Sequence, residues 1–183
     1  MEHYIELFVL PDPEFTDAML MSALFSKLHR YLGKNGQGKV GVSFPKATKK
    51  SLGNHLRLHG NEAQLGDIKK DTWLAGLSSF VEASEVLSVP DTVEYYCIQR
   101  VQRKTAHNKR KRVVSKGWLS EQEAQEKFPD EAEQLCKLPY VQIKSLSNSN
   151  AFKLFIQQSP QREKREGQFS SYGLSASATI PWF

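Results

Sequence analysis

Apolar and polar residues alternate with a period of two along the opening "HYIELFVL" (3–10), which predicts a strand that Pro11 and Pro13 end. The period then changes. In "TDAMLMSALFSKLHRYLGK" (16–34), Leu20, Leu24, Leu28 and Leu32 recur every fourth residue, the spacing of one helical stripe. Thr16 or Asp17 can cap the start of this helix, and Gly33 and Gly36 end it. "KVGVSFP" (39–45) and "NHLRLHG" (54–60) return to alternation around a polar loop. "NEAQLGDIKKDTWLAGLSSF" (61–80) reads as a second helix, weakened by Gly66 and Gly76, and "EASEVLSV" (82–89) as a fourth strand. The order β-α-β-β-α-β is that of a ferredoxin-like (RRM-like) domain, expected over residues 1–92. Such a domain puts two helices on one face of an antiparallel sheet and leaves the other face for a partner.

After Pro90 the pattern starts again. "EYYCIQRVQ" (94–102) predicts a strand, and residues 106–116 a basic helix. "LSEQEAQEKF" (119–128) predicts a further helix whose Ser120 and Glu123 form a capping box. "YVQIKSLS" (140–147) and "AFKLFIQQS" (151–159) read as strands joined by a short turn, and "QFSSYGLS" (168–175) and "TIPWF" (179–183) complete the chain. The fold class is therefore α+β. A ferredoxin-like N-terminal domain packs on a smaller C-terminal domain, 93–183, that carries the basic helix. No repeat or low-complexity linker separates the two.

Charge divides the same halves. Residues 1–95 hold 10 Lys and Arg against 12 Asp and Glu, whereas residues 96–183 hold 15 against 8. The stretch "RVQRKTAHNKRKRVVSK" (100–116) has eight basic side chains and no acidic one, so a polyanion is the expected partner. No apolar run approaches the ~20 residues of a membrane span. The N-terminus lacks the basic and apolar segments of a signal peptide. Cys97 and Cys136 have no metal-type spacing and are expected to be reduced thiols in a cytoplasm.

One residue interrupts the first helix. At about 100° per residue, with Leu20 at zero, the apolar stripe centres near 80° and His29 falls near 180°, between Phe25 and Ser22. It sits at the rim of the buried face, where packing can hold an imidazole that still reaches a ligand. The five histidines are scattered, and His55 and His59 share a strand-like stretch where their spacing makes no helical metal clamp. No metal ligand set and no cofactor are expected. "GKNGQGK" (33–39) is Gly-rich but lacks the Gly-Lys-Ser/Thr ending of a phosphate loop. Chemistry on a polyanion without metal points to RNA, which carries its own nucleophile, the 2′-OH.

The segments "HYIELFVLPDPEF", "LMSALFSKLH", "VGVSFP", "LGNHLRLHG", "WLAGL", "RVQ", "LSEQEAQ", "LPYVQIKSLSN", "FKLFI", "YGLS" and "PWF" occur in order nearly end to end. In these the chain resembles the CRISPR repeat endoribonuclease of type I-F systems. The resemblance implies metal-independent cleavage of precursor CRISPR RNA at the 3′ base of a repeat hairpin. It implies 5′-hydroxyl and 2′,3′-cyclic phosphate ends, and retention of the product in the surveillance complex with that complex's other subunits. It implies a monomer when free of RNA.

It further implies that His29 is the catalytic histidine, Ser145 the catalytic serine of "IKSLS", and Tyr172 of "YGLS" the residue that orients the histidine. Ser147 lies near the scissile nucleotide, Phe152 stacks on the end of the stem, and Arg100 and Gln102 read base edges at its foot. Arg103, Arg110, Lys111, Arg112 and Lys116 supply the basic helix and its approach. The family's helix carries arginine pairs; here Ser115 stands where a relative has arginine, and the lysines give charge without a planar fork. The alternatives are a hairpin-binding subunit that no longer cuts, and a general RNA-binding protein on a ferredoxin-like fold.

Overall fold

The structure, a computed structural model, describes residues 1–102, 105–130, 136–144 and 150–183. It falls into two compact units, 1–101 with 138–183, and 102–137.

In the first unit, strands β1 (His3–Val9), β2 (Gly41–Ser43), β3 (His55–Gly60) and β4 (Val81–Ala83) form an antiparallel sheet in the order β2-β3-β1-β4, with β5 (Leu87–Ser88) also pairing with β1. A second antiparallel sheet is ordered β7-β8-β6-β9, from β6 (Glu94–Val101), β7 (Tyr140–Lys144), β8 (Ala151–Gln161) and β9 (Ile180–Trp182). This is the expected α+β class.

Helix α1 (Asp17–Asn35) begins where Thr16 accepts a hydrogen bond from the Met19 N–H. It buries Leu20, Met21, Leu24, Phe25, Leu28 and Leu32 on Ile5, Leu7 and Val9 of β1 and their neighbours. His29 is half-buried at the rim of that stripe.

Three expectations differ. The helix expected over 61–80 is shorter: α2 spans Glu62–Lys70, then a 3₁₀ turn covers Thr72–Leu74. Asp71 is extended (ψ 152°), the Trp73 indole N–H donates to the Ile68 carbonyl at the frayed end, and Gly76 takes a positive φ of 78°. The strand expected over 82–89 is two short ones, β4 and β5, both on β1.

The open sheet face is not open. Phe169 and Ile180 press on Gly41, and Phe183 lies on Arg57 and Tyr4. Beneath them Glu6, His55, Arg57 and His59 are buried. Glu6 accepts hydrogen bonds from His55 and from Arg57 Nε at 2.9 Å, while Arg57 Nη1 donates to the Phe183 carbonyl at 2.9 Å. Buried charges need such partners; the chain's own last third supplies the cover that was expected of a partner molecule. Burial alone raises the Glu6 carboxyl, but the hydrogen bonds from His55 and Arg57 outweigh it and hold its pKa below the usual value. His59, fully buried beside Ser43 at 2.8 Å, is pushed well below an ordinary imidazole by desolvation and by the Arg57 charge.

The second unit holds α3 (Ala106–Ser115) and α4 (Glu121–Lys127). Thr105 caps α3, and Ser120 with Glu123 forms the expected capping box on α4. Cys97 and Cys136 are free, and no helix among the described residues is long and apolar enough to cross a membrane.

Candidate RNA-processing site

The first unit brings His29, Tyr172, Arg100 and Phe152 together. The rings of His29 and Tyr172 stack, centroids 3.9 Å apart and planes 11° from parallel, and Phe25 lies parallel to Tyr172 at 6.3 Å. His29 Nδ1 lies 3.1 Å from the Ser171 carbonyl oxygen. A carbonyl can only accept, so Nδ1 carries the hydrogen. In the neutral ring, Nε2 is then the atom with a free lone pair. A stacked ring with one nitrogen tethered has a fixed plane and a fixed tautomer, the two conditions for a directed base.

The tether is built by a turn. Gly173 donates its N–H to Ser170 at 2.8 Å and Ser170 donates to Leu174 at 2.8 Å. Gly173 has φ 69°, and a Cβ there would stand 2.5 Å from Val42 Cγ1, so only glycine fits the close approach. The Gly173 carbonyl also accepts from Val42 N–H at 3.0 Å, which pins the turn to β2. Ser171 and Tyr172 therefore meet His29 from 142 and 143 residues away because their turn is fastened to the first sheet.

The Arg100 guanidinium carbon lies 5.6 Å from the centre of the Phe152 ring and 5.8 Å from that of Tyr172. Phe152 pairs across the sheet with Ile143. The rim of α1 docks on the same strand: Ser22 Oγ accepts from the Gln142 N–H at 3.1 Å. The helix with the histidine and the strand that runs to Lys144 are thus joined. Ser145 and Ser147 follow that strand in sequence and lie outside the described residues, as does Arg103.

In the second unit Lys111, Arg112 and Lys116 are exposed, as are Gln102 and Lys109. Arg110 is not: its Nη1 donates to the Phe128 carbonyl and its Nη2 pairs with Asp130 at 2.7 Å, with the side chain 15% exposed. Charge alone did not distinguish Arg110 from its neighbours. Its period would have, since it lies four residues after the buried Ala106 on the face of α3 turned to α4. Ser171, acting through its carbonyl, and Ser22, through its hydroxyl, were also missed as positioning groups; a backbone acceptor leaves no residue-type signal.

The chain is thus an α+β protein whose second unit carries an exposed basic helix and whose first unit holds a half-buried, tethered histidine beside an arginine and two aromatic rings. The family model described as "CRISPR-associated protein (Cas_Csy4)" matches residues 4–183. The chain is 48% identical over 185 residues to the CRISPR-associated endonuclease Cas6/Csy4 of Escherichia coli (strain UTI89 / UPEC), covering all of both chains. It is 38% identical over 187 residues to the protein of the same name from Pseudomonas aeruginosa (strain UCBPP-PA14), again over the whole of each. The chain belongs to the Csy4 family of CRISPR-associated proteins.

Proposed function

We propose that this protein is a metal-independent endoribonuclease that binds a CRISPR repeat hairpin and cuts precursor CRISPR RNA at the 3′ base of the stem. The relatives' shared name, endonuclease, supports the class of reaction. The observation that carries the mechanism is the tether on His29 Nδ1, which leaves Nε2 as the acceptor.

His29 Nε2 takes the proton of the 2′-OH on the last stem nucleotide. The freed oxygen attacks the adjacent phosphorus, a P–O2′ bond forms, and the P–O5′ bond breaks. The products are a 2′,3′-cyclic phosphate and a 5′-oxygen, which takes a proton from the imidazolium or from water. The nucleophile belongs to the RNA, so the scheme calls for no metal. Ser145 is assigned to holding the 2′-OH and Ser147 to the neighbouring nucleotide. Tyr172 keeps the imidazole plane. Phe152 stacks on the end of the stem, a contact of ~1–3 kcal/mol. Arg100, with Gln102, reads a base edge there, where a bidentate arginine discriminates by ~1–3 kcal/mol. Lys111, Arg112, Lys116 and Arg103 neutralise phosphates. The protein is a monomer before it meets RNA, then stays on the stem-loop product and joins the other subunits of a type I-F surveillance complex.

Incubation of the protein with a repeat hairpin in excess chelator, followed by mapping of the ends, tests this. Cleavage at the stem foot with a cyclic phosphate is expected, and a 2′-deoxy substitution at the cut position should block it. Cleavage of the deoxy substrate would rule out the internal nucleophile. A protein that binds the hairpin and leaves it whole would be a grip without a blade.

A further inference from the structure

The basic helix ends in a feature that the cleavage scheme does not use. α3 closes in a Schellman motif: Gly117 N–H donates to the Val114 carbonyl at 2.9 Å and Trp118 N–H to the Val113 carbonyl at 3.0 Å, with Gly117 at φ 66°. The backbone of Trp118 is therefore fixed. Trp118 is 62% exposed, the most exposed of the large apolar residues among those described. In this motif the residue after the glycine commonly packs back on the helix. Here the indole stands out instead, with the Lys116 ammonium 4.7 Å from its ring centre.

An exposed aromatic by itself says little. This one stands at the end of a helix that presents Lys109, Lys111, Arg112 and Lys116 to solvent and has no acidic residue. The cations need phosphates; the indole face needs a flat apolar partner. An acidic protein surface would meet the first need without the second. A nucleotide whose base is unstacked meets both. Bases inside a stem are stacked on both faces, so the partner must be unpaired. Gln102, ahead of α3, is assigned to the foot of the stem, and the ten residues of α3 carry the chain about 15 Å onward.

We propose that Trp118, with Lys116 over its ring, is a stacking site for an unpaired base in the loop of the RNA hairpin. This rests on the hairpin-binding reading above. The site grips one loop nucleotide by its π-face, with little regard for which base it is, while Lys116 both polarises the indole and sits within reach of that nucleotide's phosphate.

The test compares two RNAs: the repeat hairpin, and the same stem closed by a flexible linker without bases. Trp118→Ala should weaken binding to the hairpin about 5- to 150-fold, the range of one lost base–aromatic stack, and scarcely change binding to the linker-closed stem. Trp118→Phe should recover most of the loss. The slope of log Kd against log salt should be unchanged by Trp118→Ala and reduced by about 1 by Lys111→Gln, since only the second removes a phosphate contact. Equal losses on both RNAs overturn the loop-base assignment. No loss on either also overturns it and leaves the indole to a protein partner. Wild-type protein that binds neither RNA sinks this proposal together with the reading beneath it, and that result is distinguishable because it appears before any substitution.

Discussion

The two sheets share one strand order, β2-β3-β1-β4 and β7-β8-β6-β9, yet the crossovers that open them differ. Between β1 and β2 the chain makes α1, which buries six large side chains and carries a half-buried histidine on its rim. Between β6 and β7 it makes α3 and α4, which form their own small unit and bury only Ala106 and Ala124. One topological position serves two ends. A crossover with an apolar stripe becomes core and can hold a reactive group still. A crossover whose stripe is replaced by lysine and arginine cannot become core, so it stays available to a ligand.

Substitutions can break that contrast. The largest effect is on rate: His29→Ala should lower single-turnover cleavage by the ~10²–10⁴-fold typical of a lost general base, while the hairpin Kd stays within a few fold. Normal cutting by the alanine variant would remove His29 from the mechanism. Next is stability. Leu28, fully buried in α1, should cost about 2–5 kcal/mol as alanine in urea unfolding, against under about 1 kcal/mol for Val114, which is only half-buried in α3. Equal costs would mean that α3 is core after all. Gly173→Ala should cost about 1–3 kcal/mol for its backbone conformation, with a further penalty against Val42 and a fall in cleavage rate larger than the fall in hairpin affinity. An intact rate in a destabilised protein would separate the turn from the histidine.

Smaller still is Arg110→Gln, expected to weaken hairpin binding a few fold with an unchanged salt slope, because Arg110 positions α3 through Phe128 and Asp130; a slope reduced by about 1 would make it a phosphate contact. The last prediction concerns acid. Glu6 has its pKa lowered in the fold, so the unfolded chain binds the extra proton and stability falls as pH drops from about 4.5 toward the lowered value. His59 is likewise held neutral, so its contribution is complete above about 6.5 and is lost as pH falls below that. Both signs agree. Melting temperature should decline from about pH 6.5 downward, and Glu6→Gln should flatten the part below about 4.5.

Much of this fold is legible as period. β1, α1, β3, β6 and β8 announce themselves by alternation or by a four-residue stripe, and the angular arithmetic puts His29 at the edge of α1. What was not legible is contact at long range. Nothing in "HLRLHG" says that His55, Arg57 and His59 would be roofed by Phe169, Ile180 and Phe183 rather than left open. The end of α2 turned on an extended aspartate and a tryptophan side chain, which no propensity weighs. Around the histidine, Tyr172 came forward through family resemblance. The Ser171 carbonyl came from coordinates alone, since every residue has one.

That carbonyl has a consequence for the order of events in a cell. His29 leaves the ribosome 142 residues ahead of its latch, residue 171. N-terminal segments fold before their C-terminal partners are made. A nascent or truncated chain that stops short of Ser171 can therefore own a complete first helix and a complete basic helix while its imidazole has no assigned proton and no fixed plane. The fastening that directs the base closes only once residue 171 has emerged.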